Sequence, residues 1–242
     1  MSTQNRMDMH GSLDAQLAVR LESLCRELTH TGELQMKKMV SSLDEAAPNP
    51  GALVYLRTKH LSVKLNGLEP VVFSAIDACT FLQVAQIYLA ETTAAAASFF
   101  DFVMQTLPFS VLHVRSRNHR PFYHSSGDRS YHDFTELVGE KGCAHSLITT
   151  DAQDPLFGIA EKFMFGGITE GSVIGGSEGE LQRELVHFLF FHNNYRSISW
   201  LQGKTPVQKL ATLEAFPGWH SFDPYRSPMS NTEAHNKRRE NR

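Results

Sequence analysis

Val71-Val-Phe-Ser-Ala-Ile-Asp77 and Leu82-Gln-Val-Ala-Gln-Ile-Tyr-Leu89 are two apolar runs rich in β-branched residues, with only Ala78-Cys-Thr-Phe81 between them. Such runs read as strands, and a break this short leaves room only for an antiparallel return. Working upstream, Lys64 to Leu68 contains Asn66-Gly67, a hairpin signal, and Ala52 to Leu61 supplies another strand in front of it. Asp44 to Gly51 holds Ala-Ala-Pro-Asn-Pro-Gly and reads as a turn or linker. Downstream, alanine-rich Thr92 to Thr106 predicts a buried helix. Phe109 to Arg115, after Pro108, predicts a fourth strand, His132 to Lys141 a short helix and Ala144 to Thr149 a fifth strand. Glu180 to Phe191 is helical, with Leu181, Leu185, Phe188 and Leu189 on one face. The expected fold is therefore α/β, a mixed five-stranded sheet flanked by helices.

Composition limits the function classes. A hydrophobic fraction of 41% with 20% charged residues is that of a globular protein, not a disordered one. No apolar run approaches the ~18 residues that span a membrane. The opening MSTQNRMDMHG lacks a basic segment leading into an apolar stretch, so a cytoplasmic location is the expectation. Cys25, Cys79 and Cys143 are odd in number and far apart, which argues against a disulfide framework or zinc site. A net charge of -3 argues against holding nucleic acid by bulk electrostatics, while leaving local basic patches open.

The ends read differently from the middle. Leu13, Leu17, Leu21, Leu24 and Leu28 line one face of a helix over 12–30, with Ser12 as its cap, and that stripe packs on its own domain or on a second copy. Gly166 to Gly179 carries six glycines but no following Lys-Ser/Thr pair, so it reads as a connector rather than a phosphate loop. The polar tail from Ser227 ends Asn236-Lys-Arg-Arg-Glu-Asn-Arg242 and reads as a loose terminus, with weak nucleic-acid contact as the functional alternative. The expected division is 1–48, an N-terminal helix and linker; 49–212, the core domain; and 213–242, a C-terminal tail.

Four stretches carry a resemblance. Ala52-Leu-Val-Tyr-Leu-Arg-Thr-Lys-His-Leu61 comes first; Phe73-Ser-Ala-Ile-Asp-Ala-Cys-Thr-Phe81 and Tyr88-Leu-Ala-Glu-Thr92 follow. The third is Val114-Arg-Ser-Arg-Asn-His-Arg-Pro-Phe122, and the fourth is Pro155-Leu-Phe-Gly-Ile-Ala-Glu-Lys-Phe163. Taken in order, with Phe191-His-Asn-Asn-Tyr-Arg196 and Trp200-Leu-Gln-Gly-Lys-Thr-Pro206 closing the series, they resemble the catalytic core of DDE-type insertion-sequence transposases and retroviral integrases. The resemblance covers about residues 50–212 and implies an RNase H-like fold. It finds no counterpart of the family's helix-turn-helix modules.

In that family two aspartates and a glutamate hold two divalent ions, and the resemblance places them at Arg57, Arg117 and Glu161. Asn118 and Phe122 match the second motif, while His119 and Pro121 depart from it. Asp77 falls on an acidic position that is structural in the family, Lys162 stands where arginine is usual, and Asn194 and Arg196 fall in the closing segment. Arginine has no acceptor and stays charged, so it fails as a ligand to a hard cation and also repels it. The trio's formal charge would be about +1, with a salt bridge taking the structural place of metal. No cofactor is expected; magnesium enters only under an alternative in which displaced carboxylates among Asp77, Asp128, Asp133, Asp151 and Asp154 act as ligands.

The leading expectation is a non-catalytic, regulatory module that binds DNA, another protein or a second copy of itself. Arg115, Arg117, Arg120 and Lys162, with His119 and Arg129 nearby, are the candidate phosphate contacts. Alternatives are an active metal-dependent strand transferase or nuclease, and a structural assembly protein without nucleic acid, favoured by the acidic charge and leucine stripe. His113, His119, His124, His132 and His145 show no metal-ligand spacing. Ser116 and Ser125 near His124 lack the third partner of a hydrolase triad.

Overall fold

The protein, seen here as a computed structural model, is described over residues 49–65, 67–123, 130–149, 154–165 and 177–225. All of them lie in Leu43–Arg242, one of the two units into which the chain divides. The expected helix over 12–30, residues 166–176 of the glycine-rich stretch and the basic tail fall outside the described residues.

Five strands form one sheet: β1 (Val54–His60), β2 (Val71–Asp77), β3 (Gln83–Tyr88), β4 (His113–Arg117) and β5 (Ala144–Ile148). Their order is β3-β2-β1-β4-β5. The first three are antiparallel, and β1, β4 and β5 run parallel, so the sheet is mixed. The helices are α1 (Thr93–Thr106), α2 (Ser130–Glu140), α3 (Pro155–Phe165), α4 (Glu178–Asn194) and α5 (Pro206–Ala211), with a 3-10 turn at Ser199–Leu201.

Strand β2 is buried along its whole length, which explains why Val71–Asp77 is a continuous apolar run rather than an alternating one. On one face, Leu56, Phe73, Val84 and Val114 pack with Phe99, Phe100 and Val103 of α1 and Phe134 and Val138 of α2. On the other, Tyr55 and Ile76 pack with Phe157, Ala160 and Met164 of α3. Leu181, Leu185 and Leu189, each four residues apart, seat α4 against Val72 and Ala85. Each such phenylalanine or leucine contributes about 1.5–3 kcal/mol by leaving water.

The two hairpins use different chemistry. Between β1 and β2, Leu65 and Leu68 exchange both backbone hydrogen bonds, and Gly67 takes a φ of +83°. Between β2 and β3 the turn is organised by Asp77. Its carboxylate accepts from the Gly51 amide at 2.8 Å and from the Thr80 amide and hydroxyl at 2.7 Å each. Burial pushes the Asp77 carboxyl up to about 6 despite these donors, which pull the other way. The turn also forces Phe81 to a φ of 59°, a strained value for an aromatic residue. Its ring, fully buried and edge-on to Phe163 at 5.5 Å, holds it there.

Several expected boundaries shift by a residue or more, most clearly at β4 and past residue 212. Strand β4 begins at His113 rather than Phe109 and ends at Arg117 rather than Arg115. A strand exists only where a neighbour runs beside it, and its ladder partners begin at Val54 and Ala144, opposite Val114 and His113. The packed unit also continues past residue 212: Phe222 is buried in the main core, with Leu213, Phe216 and Trp219 packed against it. Aromatic anchors at that spacing hold what polarity alone reads as the beginning of a tail.

The outer edge of β3 is closed by side chains. Asn193 accepts from the Gln83 amide at 2.9 Å and donates to the Gln83 carbonyl at 2.8 Å. Tyr225 donates its hydroxyl to the Ala85 carbonyl at 2.6 Å. No helix among the described residues is long and apolar enough to cross a membrane.

Candidate functional site

Strands β1 and β4 run parallel with Val54 opposite Val114, Tyr55 opposite Arg115 and Leu56 opposite Ser116. Side chains alternate along a strand, so Tyr55 and Arg57 of β1 share a face with Arg115 and Arg117 of β4. Helix α3 covers that face. Phe157 meets the Tyr55 ring edge-on at 5.0 Å, and buried Ala160 and Met164 continue the contact. This packing turns Glu161 toward the two strands.

The three residues that the sequence resemblance would place at metal-ligand positions meet there. Arg57 Nη2 lies 2.5 Å from Glu161 Oε1, and Arg117 Nη2 donates to Glu161 Oε2 at 2.7 Å. One carboxylate is thus divided between two guanidinium groups. All three side chains are a little over one-fifth exposed, so the cluster is partly shielded yet reachable from solvent. The Arg117 guanidinium also lies 5.2 Å from the centre of the Phe157 ring, a cation–π contact.

A second tie lies two residues back along β4. Arg115 Nη1 donates to Asp154 Oδ2 at 2.5 Å, and its Nε donates to Ser146 at 3.0 Å. Asp154 is buried, accepts the Tyr55 hydroxyl and accepts the Phe157 amide at 3.1 Å in the first turn of α3. Burial first, then the Asp154 charge, pushes the Tyr55 hydroxyl above its ordinary range. Asp154 and Glu161 are two helical turns apart and pair with arginines two residues apart on a strand. Helix α3 is therefore stitched to β4 at two points, just before its first turn and at Glu161 two turns on.

These residues do not fit a divalent cation. Of the aligned trio only Glu161 offers oxygen, and each of its oxygens is engaged by a guanidinium. Among the described residues, no group of three or more His, Cys, Asp or Glu side chains converges as a metal site would require.

The remaining sequence candidates lie apart from the cluster. Arg120 and Lys162 are exposed, the latter on the solvent side of α3, and neighbouring Asn118 is exposed as well. Asp77 serves its turn at the end of β2. Asp128, Asp151, His124, Ser125 and Arg129 lie outside the described residues, as does the side chain of Asp133 in α2. Asn194 joins Phe222 by accepting its amide at 2.8 Å and donating to its carbonyl at 2.9 Å. Arg196 lies over the Phe163 ring at 4.9 Å.

On the opposite face of the sheet, Ser116 Oγ lies 3.0 Å from His145 Nε2, and His145 Nδ1 lies 2.9 Å from Thr135 Oγ1. The arrangement resembles a triad in outline only. Ser116 is completely buried, its third member is a hydroxyl without charge to stabilise an imidazolium, and burial pushes His145 down to about 4. Sequence reading missed this contact and the Tyr55–Asp154–Arg115 tie. Asp154-Pro155 was the available signal for the latter, since an Asp before a helix-starting proline marks a cap that holds the helix end in place.

By sequence, no protein-family profile and no curated protein matches the chain. Solved structures do match in shape. A chain of the simian T-cell lymphotropic virus intasome, solved in complex with PP2A regulatory subunit B56 gamma, aligns with a TM-score of 0.53 at 15% identity, covering 74% of this chain. This chain spans 59% of the length of that one. The HTLV-2 integrase catalytic core domain in complex with magnesium aligns at 0.47 and 17% identity, over 67% of this chain and 96% of that one. The BIV integrase catalytic core aligns at 0.48 and 17%, over 65% and 92%. The mixed five-stranded sheet with flanking helices is, by its likeness to the intasome chain, the RNase H-like fold of an integrase core.

Proposed function

We propose that this chain is a non-catalytic derivative of an integrase- or transposase-type core, a cytoplasmic regulatory module that works by binding DNA. The observation that carries the reading is the division of Glu161 between Arg57 and Arg117. Two-metal phosphoryl transfer needs carboxylates that hold cations on both sides of the reacting phosphate. Guanidinium groups at two of three such positions supply positive charge without metal, and arginine binds phosphate oxygens directly. Arg115, Arg117, Arg120 and Lys162 are the phosphate contacts on this reading; no cofactor takes part. A supercoiled plasmid incubated with the protein and manganese stays intact, while a gel shift at low salt shows a duplex complex that weakens as salt rises. Manganese-dependent nicking, or no complex even at the lowest salt, overturns the proposal.

A second reading is assembly without nucleic acid, either with a second copy or with another protein. It is favoured by the net charge of -3 and by Phe191 and Tyr195, which stack at the C-terminal end of α4 at 56% and 64% exposure. Light scattering of the full chain against Phe191→Ser tests it: loss of a dimer supports self-assembly through this surface.

A further inference from the structure

We propose that the open cleft between the end of α4, helix α5 and the segment around Trp219 is a nucleotide-binding site, in which a base packs against Trp219 and its phosphate meets Lys204. The site shares no residue with the arginine cluster, so the inference goes beyond the reading above without depending on it.

The cleft has a volume of about 570 Å³, inside the range of about 300–1,000 Å³ that small-molecule sites occupy. Val207 and Ala211 of α5 supply apolar lining, while Lys204, Gln208, Trp219 and His220 bring polar groups. Among the described residues that line it, none carries a carboxylate. The Lys204 ammonium is half-buried, and its side chain makes no ion pair or hydrogen bond among the described residues. A compact cation held there with its charge unanswered favours an anion. The Trp219 indole is fixed from behind: Phe216 meets it edge-on at 6.4 Å, and buried Phe222 lies against it at 6.3 Å. The rest of the ring stays half-exposed in the cleft. A fixed aromatic ring is a stacking platform for an unpaired base, since every base has a π-face.

The walls are rigid. Asn194, the last residue of α4, exchanges two hydrogen bonds with the Phe222 backbone, at 2.8 and 2.9 Å, which ties that helix to the segment carrying Trp219. Thr205 and Gln208 cap α5 reciprocally. The Gln208 oxygen serves the Thr205 amide, and its NH2 group is unengaged among the described residues, open to the edge of a base. A cation, an aromatic plane and an amide donor in one cleft select a ligand that is at once anionic, flat and rich in acceptors. That is the chemistry of a nucleotide, either free or unpaired within a DNA strand. Bases inside a duplex do not present it, because their faces are already stacked.

The test uses the full chain carrying Trp200→Phe, which leaves Trp219 as its single indole. The probes are deoxyadenosine monophosphate, a short oligo-dA strand and inorganic phosphate. A nucleotide that stacks in the cleft should quench the Trp219 fluorescence. By calorimetry, Trp219→Ala should weaken binding roughly tenfold or more, as the loss of one stacked base does, and Trp219→Phe should weaken it less. Lys204→Gln, which breaks no side-chain contact among the described residues, should weaken binding roughly fivefold. For the strand it should also reduce the slope of log affinity against log salt by about one. This variant carries the test if Trp219→Ala does not fold. Binding of both nucleotide probes supports a site that a free nucleotide fills; binding of the strand alone supports one that takes a nucleotide within DNA. No binding of either nucleotide probe overturns the proposal. So do affinities unmoved by Trp219→Ala and Lys204→Gln, or displacement of the nucleotides by an equal concentration of phosphate. The duplex gel shift is scored separately on the same variants, so failure of this site and failure of the DNA-binding reading are told apart.

Discussion

Arg57 and Arg117, sixty positions apart in the chain, stand one register step beyond the Leu56–Ser116 pairing of two parallel strands and close on the same carboxylate. Two like charges side by side are unfavourable, so the placement of the pair depends in part on Glu161 lying between them. Helix α3 is in this sense part of the electrostatics of the sheet.

Replacing both arginines should expose that dependence. Arg57→Asp with Arg117→Asp puts three carboxylates together, so the double variant should be less stable than the unaltered chain by about 2–4 kcal/mol in a chelator. Manganese should restore it, by about 2.7 kcal/mol at a hundredfold excess over the dissociation constant. Thermal melts with and without metal check this; a double variant indifferent to manganese contradicts the placement of the trio.

Asp154 should matter more for stability than its single ion pair suggests. Asp154→Ala strips a partner from Arg115, from the Tyr55 hydroxyl and from the Phe157 amide. With those groups buried or half-buried, the expected loss is about 2–4 kcal/mol. Urea unfolding measures it. A loss below about 0.5 kcal/mol, typical of a surface pair, contradicts the tie.

Gly51 should tolerate no side chain. Its φ is +78°, and a Cβ there would stand 2.0 Å from the Ser110 carbonyl oxygen. The left-handed backbone alone costs about 1–2 kcal/mol in any other residue, and the clash adds to it. Gly51→Ala should lower the melting temperature by several degrees; Gly142→Ala, equally left-handed but open around the Cβ, should lower it less.

Acid should destabilise the fold through two histidines. Burial pushes both His145 and His192 from an ordinary 6.5 down to about 4. Between those values the unfolded chain binds a proton that the folded one does not, so stability falls as pH drops from 6.5 toward 4 and is fully present above 6.5. Each contributes at most about 3 kcal/mol over that window. Asp77, lifted to about 6, works in the opposite sense, losing stability as pH rises from about 4 to 6. Replacing both histidines with neutral glutamine should flatten or reverse the slope of stability against pH in urea titrations; an unchanged slope contradicts their neutral burial.

Much of the fold was legible because its signals are local. Val71–Asp77 was readable to the residue because burial on both faces makes a strand wholly apolar. The trio was legible through motif order alone, since each of its members sits on a strong element of its own. What sequence did not show depends on partners far along the chain. The start of β4 is set by where β1 and β5 lie, not by the apolar run from Phe109. The Tyr55–Asp154–Arg115 tie joins three segments that carry no shared motif, and the Ser116–His145–Thr135 contact joins side chains from three elements. Past residue 212, polarity outweighed the few aromatics that anchor the chain.

The closure of β3 has a consequence for synthesis. The groups that cover its outer edge come from Asn193 and Tyr225, 110 and 140 positions later. While a ribosome makes that length of chain, the sheet can form with this edge bare, an open template for pairing with the edge of another nascent copy. A chain truncated anywhere before residue 193 should therefore yield inclusion bodies rather than a smaller folded core, and a chaperone that occupies extended strands has its natural moment of engagement in that interval.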